Sequence, residues 1–214
     1  MLIFFIRHGL TDWNIQRRFQ GTCDIPLNEA GLSQAHTAAR RCAELSLERI
    51  YHSTLLRAAQ TAAAIAESSG APLIPCSGFN EVCLGDFQSL NHEQAKAKYP
   101  QAYAQYFADR INAAPPGGES LFQVQQRALN ALDQIEREAA GCKRIAVVSH
   151  GALLKTLLGA IAGIPLEQFA RFDVSNGSIS VIESKDGVRR LITLNSMAHF
   201  GDPYAQMSQT KLLI

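Results

Sequence analysis

Apolar runs of strand length alternate along this chain with longer segments of helical period. Leu2 to Ile6 is uniformly apolar and ends at Arg7, which predicts a strand covered on both faces. Gly31 to Leu45 reads as a helix, Arg49 to His52 as a short strand, and Leu55 to Ser69 as an alanine-rich helix stopped by Gly70 and Pro72. Leu73 to Cys76 follows as a third strand. Between Ser77 and Gly118 the pattern loosens: Pro100 interrupts a helical stretch, and Pro115-Pro116-Gly117-Gly118 marks an extended loop. Glu119 and Ser120 open a long helix with Leu121, Val124, Ala128, Leu132 and Ile135 on one face, ending near Gly141. Arg144 to Ser149 is a further buried strand, followed by a helix from Ala152 to Ala162. Ile179 to Glu183 and Arg190 to Leu194 form a closing antiparallel pair around the Asp186-Gly187 turn. The expected fold is α/β: a three-layer α/β/α sandwich on a mainly parallel sheet with an antiparallel edge, plus a small helical cap inserted at about 77–118. No repeat or linker divides the chain, so one domain over 1–214 is expected.

Composition narrows the function. A chain of 214 residues with 47% apolar and 18% charged residues can bury a substantial core. Lys and Arg total 20 against 19 Asp and Glu, so a net charge of +1 offers no global field for nucleic acid or an anionic membrane. Any anion binding must be local. Cys23, Cys42, Cys76, Cys83 and Cys142 are scattered, odd in number and free of a Cys-x-x-Cys pair. Neither a disulfide framework nor a zinc knuckle is indicated, and a reducing, cytoplasmic location is expected. The apolar opening is too short for a signal-peptide core or a membrane span.

Two turns share one chemistry. The strand IFFI runs into Arg7-His8-Gly9, and IAVV runs into Ser149-His150-Gly151. Ligands of open α/β sheets bind outside the carboxyl ends of the strands, so two adjacent strands of this kind aim both imidazoles into one crevice. A histidine pair could begin a metal site, but Arg7 and Arg57 place permanent cations there. They repel a metal ion and match the oxygens of a phosphate.

Arg7-His8-Gly9-Leu10-Thr11-Asp12-Trp13-Asn14 followed by Arg18-Phe19-Gln20-Gly21 resembles the signature of the histidine phosphatase superfamily, in its phosphoglycerate mutase-like branch. The likeness continues through Asp24 to Asn28 with Gly31, Ser53 to Ala58 with Gln60-Thr61-Ala62, Glu81 with Gly85, Gly117 to Ser120, Ser149-His150-Gly151, and Leu194-Asn195 with His199. It implies a metal-independent phosphomonoesterase working without a cofactor on a small phosphorylated metabolite. On that likeness His8 is the nucleophile that becomes phosphorylated, Arg7, Arg57 and His150 hold the non-bridging oxygens, and Glu81 is the proton donor to the leaving alkoxide. Asn14, Gln20, Gly21 and Gly151 are implied as further substrate contacts. His8 has to be neutral at its attacking nitrogen and His150 is most useful as imidazolium, so their environments are expected to push the two protonation states apart. A homodimer through a sheet edge is consistent with the family by analogy alone.

The same constellation serves cofactor-dependent phosphoglycerate mutases, in which the catalytic Glu is followed by Arg-His-Tyr-Gly and later a Lys. Here the equivalents are Val82, Cys83, Leu84 and His92, which leaves no obvious partner for a substrate carboxylate and favours a phosphatase on a less acidic, partly apolar substrate. Leu10, Gln88 and Ala152 also depart from common family residues. Alpha-ribazole phosphatase and phosphoserine phosphatase are both open as specific activities, and a non-catalytic phosphate-binding scaffold is the reading from a different class.

Overall fold

The structure, a computed structural model, describes residues 1–201; the expected single domain over 1–214 therefore lies outside the described residues for 202–214. Strands β1 (Leu2–Arg7), β2 (Arg49–His52), β3 (Leu73–Pro75), β4 (Arg144–Ser149), β5 (Ile179–Lys185) and β6 (Val188–Ser196) form one sheet in the order β3-β2-β4-β1-β5-β6. The first four of that order run parallel, and β5 and β6 run antiparallel to their neighbours. The helices are α1 (Asp12–Ile15), α2 (Glu29–Ala43), α3 (Leu56–Ser69), α4 (His92–Lys98), α5 (Pro100–Ala108), α6 (Leu121–Glu138) and α7 (Gly151–Ile161).

The central strands are apolar throughout because both faces are covered. Ile3, Phe5, Ile145 and Val147 pack against Val124 and Leu132 of α6 and Leu153 and Leu157 of α7. Phe4, Ile6, Ala146 and Val148 face the other way, against Ala35 and Ala39 of α2 and Ala62 and Ile65 of α3. This is the expected three-layer sandwich with an antiparallel edge. At that edge Asp186 and Gly187 both have positive φ, 52° and 77°, the geometry of a type I′ hairpin turn.

Between β3 and α6 the chain leaves the sandwich as two 3₁₀ turns followed by α4 and α5. Pro100 sits at the first turn of α5, where its missing N–H costs nothing, and so separates two helices rather than breaking one. Phe87, Tyr103, Tyr106 and Phe107 pack around Phe19 and His92, and Phe19 N–H donates to Leu90 C=O at 2.9 Å. The excursion is thereby fastened over the loop that follows β1. Helix α2 begins two residues earlier than its apolar period suggests, because Asn28 caps it by accepting the Gly31 N–H at 2.9 Å. Helix α1 was not expected at all: it is one turn long, closed by reciprocal bonds between Thr11 and Asn14. Among the described residues no helix is long and apolar enough to cross a membrane.

Candidate active site

His8 follows β1 and His150 follows β4. The two strands are parallel neighbours whose register sets Arg7 opposite Ser149, so both imidazoles leave the sheet side by side at its carboxyl edge. Their ring centroids are 5.0 Å apart and their planes 58° from parallel. The turn after His8 is held tightly. Gly9 N–H donates to Thr61 Oγ1 at 3.2 Å, Asn176 Nδ2 donates to the His8 carbonyl at 3.0 Å, and a side chain on Gly9 would strike the Gly31 backbone.

His8 Nδ1 lies 2.6 Å from the Gly9 carbonyl, which can only accept; Nδ1 therefore carries the proton and Nε2 is left with its lone pair. Sequence alone did not identify this carbonyl. His150 Nε2 lies 2.6 Å from Ser53 Oγ, which donates onward to Asn80 Oδ1 at 2.8 Å. With the Ser53 proton so committed, Nε2 of His150 must be the donor, and its Nδ1 is buried with no partner among the described residues. Burial, then the Arg57 and Arg7 charges, hold His8 well below the usual imidazole range. Burial, then Arg57, His8 and Arg7, do the same to His150. The environments of the free site thus push both histidines toward neutrality rather than apart.

The arginines are positioned by carbonyls and retain spare donors. Arg57 donates through its two terminal nitrogens to Cys23 C=O and Gly21 C=O, both at 2.8 Å, and Arg7 donates to Val174 C=O at 2.7 Å. Nε of each is buried without a partner among the described residues. Burial, together with the Arg57 charge, brings Arg7 down to about 10, which still leaves it cationic at neutral pH. Gly151 has no side chain to fill the space against the Arg7 guanidinium, where a Cβ would come within 3.1 Å of Cζ. Two buried donor positions, Arg7 Nε and Arg57 Nε, are thus left unmatched around His8, and His150 Nδ1, an acceptor in the neutral ring, becomes a third donor when that ring is protonated. Such a cluster is costly unless an anion completes it.

Glu81 enters from the loop after β3. Its carboxylate accepts N–H bonds from Val82 at 3.0 Å, Ala152 at 3.2 Å and Leu153 at 3.1 Å, which sets it at the positive end of α7. The loop itself is held by Arg127, which donates to the carbonyls of Gly78, Asn80 and Glu81 and pairs with Glu119 at 2.9 Å. Glu119 in turn accepts the Cys83 N–H at 2.9 Å. Arg127, Ser53 and Asn80 had no role in the sequence reading. Asn80 beside Glu81, and Ser53 opening the Ser53 to Ala58 segment, were the signals in view, whereas Arg127 lies among core-facing positions of α6 and nothing in its neighbours marks it.

A cavity of about 270 Å³ is lined by Arg7, His8, Asn14, Gln20, Gly21, Arg57 and Glu81 among others. Seven of the nine sequence candidates therefore meet in one place; of the other two, His150 is fully buried with its ring 5.0 Å from that of His8, and Gly151 lies against the Arg7 guanidinium. Asn14 differs from expectation in part, since its Oδ1 is taken by Thr11 and only its Nδ2 remains for a ligand. Gln20 Oε1 is buried and unpartnered among the described residues. His199 Nε2 donates to Gly177 C=O at 3.0 Å, outside the cavity.

Comparison with known proteins places these features in context. The profile of the histidine phosphatase superfamily (branch 1) matches residues 3–197. Phosphoglycerate mutase-like protein 4 of Arabidopsis thaliana is 37% identical over 158 residues, covering 72% of this chain and 68% of that protein. Phosphoserine phosphatase 1 of Hydrogenobacter thermophilus is 29% identical over 204 residues, covering 95% and 96%. A mycobacterial glucosyl-3-phosphoglycerate phosphatase, solved with VO3, superposes with a TM-score of 0.80 at 29% identity, over 91% of this chain and 98% of that one.

Proposed function

Since the chain belongs to the histidine phosphatase superfamily, we propose that it is a metal-independent phosphomonoesterase that hydrolyses a small phosphorylated metabolite through a phosphohistidine at His8. The observation that carries this reading is the His8 tautomer: Nδ1 is tied to the Gly9 carbonyl, and Nε2 is left free in a cavity that also holds Arg7 and Arg57. Relatives named as a phosphoserine phosphatase and a glucosyl-3-phosphoglycerate phosphatase support a small substrate. So does a cavity of about 270 Å³, which suits a compact metabolite better than a nucleotide or peptide.

In the first step Nε2 of His8 attacks phosphorus in line; the N–P bond forms as the P–O bond to the alcohol breaks. Arg7, Arg57 and, once the arriving phosphate draws a proton onto its Nδ1, His150 stabilise the charge on the equatorial oxygens, where each fixed donor is worth roughly 100- to 1,000-fold in rate. An alkoxide leaves poorly, so Glu81 protonates it, an assistance of roughly 100- to 10,000-fold. In the second step Glu81 takes a proton from water, the hydroxide attacks phosphorus and the N–P bond breaks, which returns neutral His8 and releases inorganic phosphate. Asn14 Nδ2, Gln20, and the backbone of Gly21 and Gly151 complete the phosphate cradle. Segment 77–118 acts as the cap of a single domain, and the five unpaired cysteines fit a cytosolic setting.

The test is phosphate release in EDTA from a panel of monoesters that includes phosphoserine, alpha-ribazole phosphate and para-nitrophenyl phosphate. Release that chelation does not alter is the expected result, and activity lost to EDTA would overturn the metal-independent mechanism. Phosphoglycerate interconversion without net phosphate release would make the enzyme a mutase.

A further inference from the structure

The outer half of the cavity has a charge that one phosphate does not balance. Arg17, Arg18 and Arg110 line it together with Arg7 and Arg57, and Glu81 is the sole acidic residue among the described lining residues. With a net charge of only +1 for the chain, five arginines around one cavity are a local concentration. A phosphate dianion answers the two at the inner end. Arg18 is engaged with Ser89 C=O at 2.7 Å and Gln16 Oε1 at 2.8 Å. Arg110 is different. Its guanidinium carbon lies over the rings of Phe169, Phe107 and Tyr106, 5.0, 5.5 and 5.6 Å from their centroids, yet it makes no ion pair with any described residue. Its Nε is buried and unpartnered among the described residues. Tyr106 is 1% exposed and also lines the cavity, and its hydroxyl stands beside Arg110, again without a described hydrogen-bond partner.

Resting on the phosphatase reading of the same cavity, we propose that Arg110 and Tyr106 form a second anion subsite, which selects phosphomonoesters carrying a further acidic group on the alcohol part. A carboxylate fits best: it is planar and small, can be gripped by a guanidinium packed among aromatic rings, and can accept the phenolic proton as well. Arg17, exposed at the mouth with a positive φ of 53°, adds to the field that draws in such a substrate. The substrate is therefore more acidic than the neutral residues after Glu81 suggest, because the cations that recognise it come from Arg17, Arg18 and Arg110 instead.

Matched pairs test this on the wild-type protein in EDTA: 3-phosphoglycerate against glycerol 3-phosphate, phosphoserine against phosphoethanolamine, and 1,3-propanediol bisphosphate against its monophosphate. The expected result is a kcat/KM preference of roughly 10- to 100-fold for the doubly acidic member, carried mainly by KM. Preference in the first two pairs assigns the subsite to carboxylate, and preference in the third alone assigns it to a second phosphate; both support the inference. Arg110→Gln should reduce the preference roughly tenfold or more, with Arg110→Lys restoring part of it, and Tyr106→Phe, an isosteric change, should lower it less. Equal kcat/KM within each pair, or a preference untouched in Arg110→Gln and Tyr106→Phe alike, overturns the inference while phosphate release from para-nitrophenyl phosphate leaves the phosphatase reading intact. Failure to release phosphate from any ester overturns that reading, and the subsite falls with it.

Discussion

Replacing Glu81 by Gln separates proton donation from the backbone bonds that the side chain accepts, since the amide keeps a carbonyl oxygen for Ala152 and Leu153. Glu81→Gln should slow alkyl phosphates by roughly 100-fold or more and para-nitrophenyl phosphate far less, because the aryl oxide leaves without help. Equal slowing of both would remove Glu81 from the acid role. Ser53 is a positioning residue, fixing the His150 tautomer through Asn80. Ser53→Ala should lower kcat roughly tenfold with a shifted acid limb in the pH profile, and Ser53→Thr should recover most of it; a change in KM alone would contradict that role. At this scale sequence was most informative where chemistry and chain order coincide, as in Arg7-His8-Gly9 and Ser149-His150-Gly151. It was silent on Gly9 C=O and Ser53 Oγ as tautomer locks, because a hydrogen bond's direction depends on three-dimensional neighbours that residue types do not encode.

At the scale of elements, catalysis depends on joints between segments remote in sequence. The parallel pairing of β1 with β4 brings His8 beside His150, and Arg127 of α6 anchors the loop that presents Glu81. Arg127→Met would leave the Glu119 carboxylate and three carbonyls short of a donor. A loss of about 1–3 kcal/mol in urea unfolding is expected, together with a larger fall in kcat for alkyl than for aryl esters. An unchanged alkyl-to-aryl ratio would show that Arg127 serves stability alone. The sandwich's strands were legible because apolar runs of strand length buried on both faces leave no other arrangement, whereas α1 was not, because a single capped turn has no period to detect. Thr11-Asp12-Trp13-Asn14 did contain its signal, a capping box with Asn in the position usually held by Glu or Gln.

Across the whole molecule, two buried neutral histidines make stability depend on pH. Both are held below their unfolded values, so the unfolded chain binds more protons once the pH falls below the ordinary imidazole value of 6.5. Stability should be flat above neutrality and fall as the pH drops below about 6.5, by up to about 1.4 kcal/mol per histidine per pH unit. Saturating inorganic phosphate should offset the loss, and denaturant midpoints from pH 8 to pH 5 measure both effects. A midpoint that rises toward acid would contradict the neutral pair. The arginines of the outer cavity show what whole-molecule placement adds to sequence: Arg17 and Arg18 follow α1, Arg110 follows α5, and only the fastening of 77–118 over the β1 loop brings them together. The most direct measurement of the central claim is intact-protein mass after quenching a reacting sample in alkali, with the modified peptide then mapped. A single added phosphoryl group on His8, stable in base, lost in acid and absent from His8→Ala, is the expected result. Turnover that continues with no phosphoryl group on the protein, or with the group mapped elsewhere, would contradict the account.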